Sequence, residues 1–280
     1  MNAARPVTPR RRHSAVWWVL LPAVALAAMT CTVLISPVTP LPGDAAFAEL
    51  ALHHRSWAVT TALTAITTAG TWIAPYLVAL VAGLTLARDP VVTSGPRPGA
   101  RRLAVVTACL VWLALGQAIR FGLMTVVARP RPPAEHRLTH ASRFAFPSGH
   151  ATTSAMAAEL LVVALSCIRP PHRRWLITLA TGWAATVGIS RVWLGVHWAS
   201  DVAAGRLLAV LRPAIGSLLL TRLLPRSRPV ARWCQASSGR QPTIWLVRAS
   251  PRERDLRGAP GGSARPRCRS GHRRSDRTPP

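Results

Sequence analysis

Long apolar runs separated by short polar segments fill most of the first 224 residues. A helix needs about 20 predominantly apolar residues to cross a membrane, and the runs are of that order. The candidate crossings are residues 15–35, 71–87, 103–128, 151–168, 175–189 and 198–224. The pattern therefore predicts an all-α, polytopic membrane protein with six transmembrane helices, the last of them kinked at Pro213.

Two segments between the first and second runs do not fit a crossing. Residues 37–56 contain prolines, Asp44, Glu49 and a His-His-Arg sequence, which is typical of a solvated loop. Residues 57–69 are apolar but rich in threonine, and they are too short to span a bilayer. We therefore expect an extracytoplasmic loop followed by an interfacial or re-entrant helix.

Charge is distributed as unevenly as hydrophobicity. The formal net charge is +26, and all 35 basic residues are arginine. Most of these arginines flank the apolar runs or lie near the C-terminus, a distribution typical of cytoplasmic segments that face anionic lipid. We expect residues 1–14 to be a basic cytoplasmic N-terminus and residues 15–224 to be the membrane domain. Residues 225–280 are expected to form a disordered cytoplasmic tail that binds anionic lipid headgroups and no nucleic acid.

Six crossings with a cytoplasmic N-terminus place two polar segments on the same, extracytoplasmic side of the cell membrane. These segments are the loop 129–149 and the turn 190–197. The loop is rich in arginine, although external loops are normally poor in positive charge. Binding of an anion is the simplest reason for that charge.

Three polar clusters should therefore meet at the outer face. They are Arg129-Pro130-Arg131-Pro132, Pro147-Ser148-Gly149-His150, and the stretch from Ser190-Arg191 to His197 and Asp201. Ser148 is a good helix N-cap, and the free N–H groups of a helix N-terminus suit phosphate. Gly149 allows the backbone to approach a ligand closely. The second cluster therefore predicts a phosphate site at the start of the fourth crossing.

Histidine, aspartate and a second histidine at these positions indicate phosphoryl transfer. His197 would attack phosphorus through one ring nitrogen, and Asp201, four residues later, would hold the other ring N–H. His150 would donate a proton to the leaving oxygen. The sequence therefore predicts one nucleophile, one orienting carboxylate and one general acid.

The phosphoryl oxygens need positive charge and N–H donors. Arg131, Arg191 and Arg129 would supply forked, charge-assisted hydrogen bonds, and Ser148 with the Gly149 amide would add donors. Few carboxylates accompany the later crossings, whereas Mg²⁺ or two-metal sites need several that converge. We expect neither a metal nor another cofactor.

These three clusters resemble the signature motifs of the type 2 phosphatidic acid phosphatase (PAP2) family, whose superfamily also holds the vanadium haloperoxidases. The resemblance covers roughly residues 70–210. It implies a six-helix membrane enzyme that works without metal through a phosphohistidine on His197. It also implies the roles given above for His150 and Asp201, and phosphate binding by Arg131, Ser148, Gly149 and Arg191.

The first motif departs from the family pattern, in which a lysine precedes the Arg-Pro pair by seven positions. Met124 stands there instead. Arg120 lies one helical turn deeper, and it either reaches up to replace the lysine or pairs with Glu159. We expect the pair with Glu159, because Arg120 and Glu159 lie at matching depths in the membrane. Arg206 is an alternative partner for Glu159. Either way, the site is expected to lack one phosphate ligand.

The leading hypothesis is a membrane phosphatase for a lipid phosphate or pyrophosphate, such as phosphatidic acid, phosphatidylglycerol phosphate or polyprenyl pyrophosphate. A phosphotransferase or lipid-headgroup synthase could use the same phosphohistidine with an alcohol in place of water. A degenerate, non-catalytic lipid-binding protein is the third alternative, and Met124 is its only support. A haloperoxidase is disfavoured because those relatives are soluble.

Overall fold

The computed structural model of the protein describes residues 10–93, 96–141 and 143–223, and it leaves out the side chains of residues 10–16, 91–92 and 216–223. The described residues form helices and connecting loops, which confirms the predicted all-α class. The predicted tail, residues 225–280, and most of the basic N-terminus lie outside the described residues.

The helices follow the predicted runs closely, with additional short elements between them. Their bounds are α1 Arg10–Ile35, α2 Asp44–His53, α3 Trp57–Ala69, α4 Ile73–Leu86, α5 Pro90–Thr93, α6 Pro98–Val127, α7 Gly149–Ile168, α8 Arg173–Trp193 and α9 Ala199–Leu223. A short 3-10 helix, Ala134–His136, lies in the loop before α7. Residues 37–56, expected to be a loop, contain α2.

Three of these helices are long and apolar enough to cross a membrane: α1 from Trp17, α6 and α7. Helices α3 and α4 bend by 54° at their junction and together make a fourth candidate, as a broken span or a re-entrant loop. The protein is therefore a membrane protein. Since three or four spans are found among the described residues, the count of six stays a prediction.

Helix α7 is the centre of the bundle and contacts α4, α6, α8 and α9. Small side chains on α7, including Ala151, Ala157 and Ala164, are buried and let neighbouring backbones approach closely. Gly205 on α9 is such a contact, because a Cβ there would lie 2.6 Å from Thr152 Oγ1. This close approach brings the start of α9 against the start of α7, where the predicted site lies.

Candidate active site

Residues from all three polar clusters line one cavity of about 670 Å³. Arg131 comes from the loop after α6, His150 from the first turn of α7, Arg191 from the end of α8 and His197 from the turn before α9. A backbone hydrogen bond joins the start of α7 to the start of α9, because the amide of Ser148 donates to the carbonyl of Asp201 at 3.0 Å. The tertiary structure thus brings together the loop and the turn that topology predicted to be neighbours.

His197 is buried, and both of its ring nitrogens face charged groups. Its Nδ1 lies 3.4 Å from Asp201 Oδ2, and its Nε2 lies 2.9 Å from Nη1 of Arg131. An arginine N–H only donates, so Nε2 is the acceptor in this contact and the ring proton lies on Nδ1, toward Asp201. In this tautomer the Nε2 lone pair contacts Arg131 at the cavity wall, and Nδ1 lies near Asp201 without a hydrogen-bond partner among the described residues.

The surroundings of His197 favour its neutral form. Burial, followed by the nearby positive charges of Arg131 and Arg191, lowers the pKa of His197 well below its ordinary value. Burial also lowers the pKa of Arg131 to about 10, against the opposing effect of Asp201, so Arg131 stays charged at neutral pH. The cavity therefore presents a neutral imidazole beside a cation.

The first turn of α7 brings Gly149 and His150 to the cavity wall. Ser148 occupies the N-cap position, but its hydroxyl caps no backbone N–H, and its buried Oγ has no partner among the described residues. Ser148 is at the predicted N-cap position and the helix begins where predicted. The capping hydrogen bond expected from its side chain is not formed. Because the Ser148 side chain accepts nothing from this turn, the turn's N–H groups stay available to an anion.

Arg191 is buried and is held by a residue that the sequence analysis missed. Its Nη1 donates to Thr67 Oγ1 of α3 at 2.9 Å, while its Nε has no partner among the described residues. Thr67 lies in the threonine-rich stretch, and that unusual composition was the only signal. Helix α3 therefore contributes to the site, whichever way it meets the membrane.

Arg129, predicted to bind phosphate, lies away from the cavity. Its side chain is fully buried and donates to Asp201 Oδ1 at 2.7 Å, to Ser200 Oγ at 2.7 Å and to Asp44 Oδ2 at 2.9 Å. Both terminal nitrogens of Arg129 are thus engaged, as donors to two carboxylates and one hydroxyl. The structure thus disagrees with the prediction for Arg129, which contacts the back of Asp201 instead.

Asp44 is a second residue that the sequence analysis missed, having been assigned to a solvated loop. It begins α2 and is buried, and its carboxylate accepts from the amide and hydroxyl of Ser200 at 2.8 and 2.6 Å. Two carboxylates, Asp44 and Asp201, therefore share one guanidinium, that of Arg129. An acidic residue at the start of a short apolar helix was the available signal, and its partner was unreadable from sequence.

The expected pairing of Arg120 with Glu159 is wrong. Among the described residues, no ion pair joins Glu159 to Arg120 or Arg206, and Glu159 Oε2 has no hydrogen-bond partner. Arg206 instead donates to the carbonyls of Ala184 and Ala185. Arg120 lines the cavity together with Met124. His150 and Glu159 are nine residues apart, about two and a half helical turns, so they face opposite sides of α7.

A loop held by hydrogen bonds borders the site. Arg55 Nη2 donates to the His136 carbonyl at 2.7 Å and to the Trp193 carbonyl at 3.3 Å. Gly195, between α8 and His197, has φ +69, and a Cβ on it would collide with the carbonyl oxygen of His136. The loop before α7 is therefore fixed against the turn that carries His197.

An apolar groove lies beside the cavity, on the faces of α4 and α6. Its lining residues are Tyr76, Leu77, Leu80, Leu110, Val111 and Ala114. Tyr76 lines both the groove and the cavity. A ligand with a charged head and an apolar chain would find matching surfaces in the two spaces.

Metal ligation has no obvious site in the described part of the chain. Across residues 10–93, 96–141 and 143–223, no group of three or more histidine, cysteine or acidic side chains is arranged to hold a metal ion. Metal independence of the reaction stays a prediction.

Comparisons with known proteins bear on the same part of the chain. Residues 105–223 match the family model of the PAP2 superfamily. Phosphatidylglycerophosphatase B from Bacillus subtilis strain 168 is 39% identical over 77 residues, which are 26% of this chain and 38% of that protein. Phosphatidylglycerophosphatase B from Escherichia coli strain K12 is 33% identical over 88 residues, 31% of this chain and 34% of that protein. The matched segments thus span well under half of either relative.

A solved structure resembles a large part of this chain. It is the crystal structure of a transmembrane PAP2-type phosphatidylglycerolphosphate phosphatase from Bacillus subtilis, which is 24% identical to this chain with a TM-score of 0.53. The alignment covers 76% of this chain and 98% of that structure. The two proteins therefore share a membrane fold.

Proposed function

We propose that the protein is a membrane phosphatase for a lipid phosphate, acting through a phosphohistidine on His197. Residues 105–223 match the family model of the PAP2 superfamily, which supports the proposal. The observation that carries the proposal is the geometry of His197. Its Nδ1 faces Asp201, and its Nε2 opens into a cavity lined by His150, Arg131 and Arg191. A neutral imidazole oriented by a carboxylate is an activated nucleophile.

The proposed reaction has two steps. The negative charge of the bound phosphate favours the protonated form of His150. His197 Nε2 attacks phosphorus, so an N–P bond forms while the P–O bond to the lipid breaks, and the leaving oxygen takes the proton from His150. Water then attacks phosphorus and gives its proton back to His150, and the N–P bond breaks to release inorganic phosphate. Asp201 stabilises the positive charge on the ring in the intermediate. No metal takes part in either step.

Phosphate binding is assigned to the side chains and amides that reach the cavity. Arg131 and Arg191 neutralise the phosphoryl oxygens, and the Gly149 amide donates from the first turn of α7. Arg131 already contacts Nε2 at 2.9 Å, so a short movement carries its guanidinium onto an oxygen of a bound phosphoryl group. Ser148 Oγ is buried without a partner among the described residues, and a small rotation would let it donate to the same group.

The two spaces that share Tyr76 support a substrate with a phosphate head and a hydrocarbon chain. The cationic cavity takes the phosphate, and the apolar groove of α4 and α6 takes a hydrocarbon chain. Phosphatidylglycerol phosphate is the first candidate, because two relatives carry the name phosphatidylglycerophosphatase B. Phosphatidic acid and polyprenyl pyrophosphate combine the same chemistry and are the other candidates.

The proposal includes an orientation in the cell membrane. The site faces the extracytoplasmic side, both termini are cytoplasmic, and the basic tail contacts anionic lipid headgroups. Support comes from the arginine-rich flanks of the chain and the positive-inside tendency. Labelling of single cysteines placed near residue 140 and near the C-terminus in intact cells would test it.

The activity test is phosphate release from the full-length protein in detergent, with EDTA present, on the three candidate lipids. We expect release by the wild type and loss of it in His197→Ala. Dependence on Mg²⁺, or activity that survives loss of His197, would overturn the mechanism. Added acceptor alcohols that divert the phosphoryl group from water would identify a transferase instead.

A further inference from the structure

We propose that Arg120 binds the transferred phosphoryl group and supplies the positive charge that Met124 lacks. The proposal rests on the proposed function, because it concerns the same cavity. Arg120 and Met124 are four residues apart on α6, so they share a face, and both line the cavity. The chain would thus carry its cation one helical turn deeper and reach the phosphate with a longer side chain.

The guanidinium of Arg120 lies directly over the first turn of α7. A Cβ built on Gly149 would be 3.3 Å from both Cζ and Nη1 of Arg120. The N–H groups of that turn are the ones that suit a phosphate. The Arg120 guanidinium and the Gly149 amide can therefore contact the same anion, and a Cβ at residue 149 would displace the guanidinium by a few tenths of an ångström.

Arg120 lacks a strong acceptor in the described part of the chain. Its Nη1 donates to Met124 Sδ at 3.2 Å, its Nε has no partner, and the ring of Phe121 lies 5.9 Å from its Cζ. A thioether is a weak acceptor, whereas a phosphate oxygen forms a strong, charge-assisted hydrogen bond with a guanidinium. A bound phosphate would satisfy donors that Met124 satisfies poorly.

The positive charge of the cavity wall favours binding of a phosphate. Four arginines line it, namely Arg120, Arg131, Arg143 and Arg191, and none of the described residues on its wall is acidic. Asp201 lies behind His197 and is already shared with Arg129. A phosphate dianion would offset part of this excess, and Arg120 is the arginine nearest to Gly149.

The test measures binding of inorganic phosphate to the purified full-length protein by calorimetry, which needs no turnover. We expect Arg120→Met to weaken phosphate binding about tenfold or more, as for loss of a hydrogen bond to a charged group. The double variant Arg120→Met/Met124→Lys should return binding to within roughly threefold of the wild type, because lysine restores a point charge on the same face. Catalytic KM for a lipid phosphate should follow the same order.

Controls separate this inference from folding and from the proposed function. Arg206→Met removes another arginine of the bundle, one that bonds carbonyls outside the cavity, and it should leave phosphate affinity unchanged. Equal losses in Arg206→Met and Arg120→Met, or a folded double variant without phosphate binding, would overturn the role of Arg120. A wild type that binds phosphate through Arg120 but releases none from any lipid would instead overturn the phosphatase proposal.

Discussion

Arg129 Nη1 lies 2.7 Å from Asp201 Oδ1, and solvent reaches neither side chain. The opposite oxygen of Asp201 faces His197 Nδ1 at 3.4 Å. Arg129 also contacts Asp44 at 2.9 Å, so one guanidinium bridges two buried carboxylates. Since a fixed carboxylate would orient the imidazole in the proposed mechanism, we expect Arg129 to act on the reaction through Asp201.

This relationship predicts a kinetic signature for Arg129→Lys. A lysine keeps one positive charge but cannot bridge two carboxylates as a planar fork does. Small displacements of a catalytic group cost up to about a hundredfold in rate, so we expect kcat to fall by roughly ten- to a hundredfold. KM and phosphate affinity should stay within about twofold, because Arg129 does not reach the cavity. A rise in KM with unchanged kcat would contradict this prediction and would indicate that Arg129 binds the phosphate.

The pKa of His197 predicts the acid limb of the pH profile of kcat/KM. A lowered pKa keeps the imidazole neutral, and hence nucleophilic, to more acidic pH, so protonation of His197 should reduce kcat/KM only well below pH 6.5. Arg131→Gln removes one of the charges that lower this pKa, while Arg120, Arg191 and His150 still face the ring. The acid limb should therefore move to higher pH.

Comparing the two enzymes on one substrate cancels the titration of the substrate phosphate. Arg131→Gln also weakens phosphate binding and lowers kcat/KM at every pH. The quantity to compare is therefore the pH at which the acid limb of the kcat/KM profile lies. A limb that stays in place, or moves to lower pH, would contradict the assignment of this charge effect to Arg131.

Gly195 predicts a stability effect with a matched control. Its φ of +69 costs about 1–2 kcal/mol for a residue with a Cβ, and that Cβ would also collide with the carbonyl oxygen of His136. Gly195→Ala should lower the unfolding temperature in detergent and reduce activity, because the turn carries His197. Gly182→Ala on α8 meets nothing within 4 Å, and it should leave both unchanged or raise stability slightly.

The apolar groove predicts a dependence on substrate chain length. Ala114→Trp fills the groove between α4 and α6, so KM for a long-chain lipid phosphate should rise while KM for a short-chain analogue stays constant. Leu115→Trp alters the next residue of α6, which is exposed and does not line the groove. Equal effects of the two substitutions on long-chain KM would show that the hydrocarbon chain binds elsewhere.

The sequence determined the helices and the core of the candidate site. Apolar runs of spanning length are a local property, so α1, α6 and α7 lie where the pattern predicted them. The four-residue spacing from His197 to Asp201 predicted the contact between the two side chains, although His197 lies in the turn before α9 and not on the helix. The predicted order of the crossings also placed the loop before α7 and the turn after α8 on the same side of the bundle. Helix ends on the same side of a bundle lie near one another.

Only the tertiary structure decided which charges meet. Arg129 and Arg131 are two residues apart, yet one is buried behind Asp201 and the other lines the cavity. Matching depths suggested that Arg120 pairs with Glu159, but depth says nothing about the direction in which a side chain leaves its helix. Asp44 lies more than 80 residues before its partner Arg129. Such contacts depend on helix rotation and packing, which one-dimensional patterns do not encode.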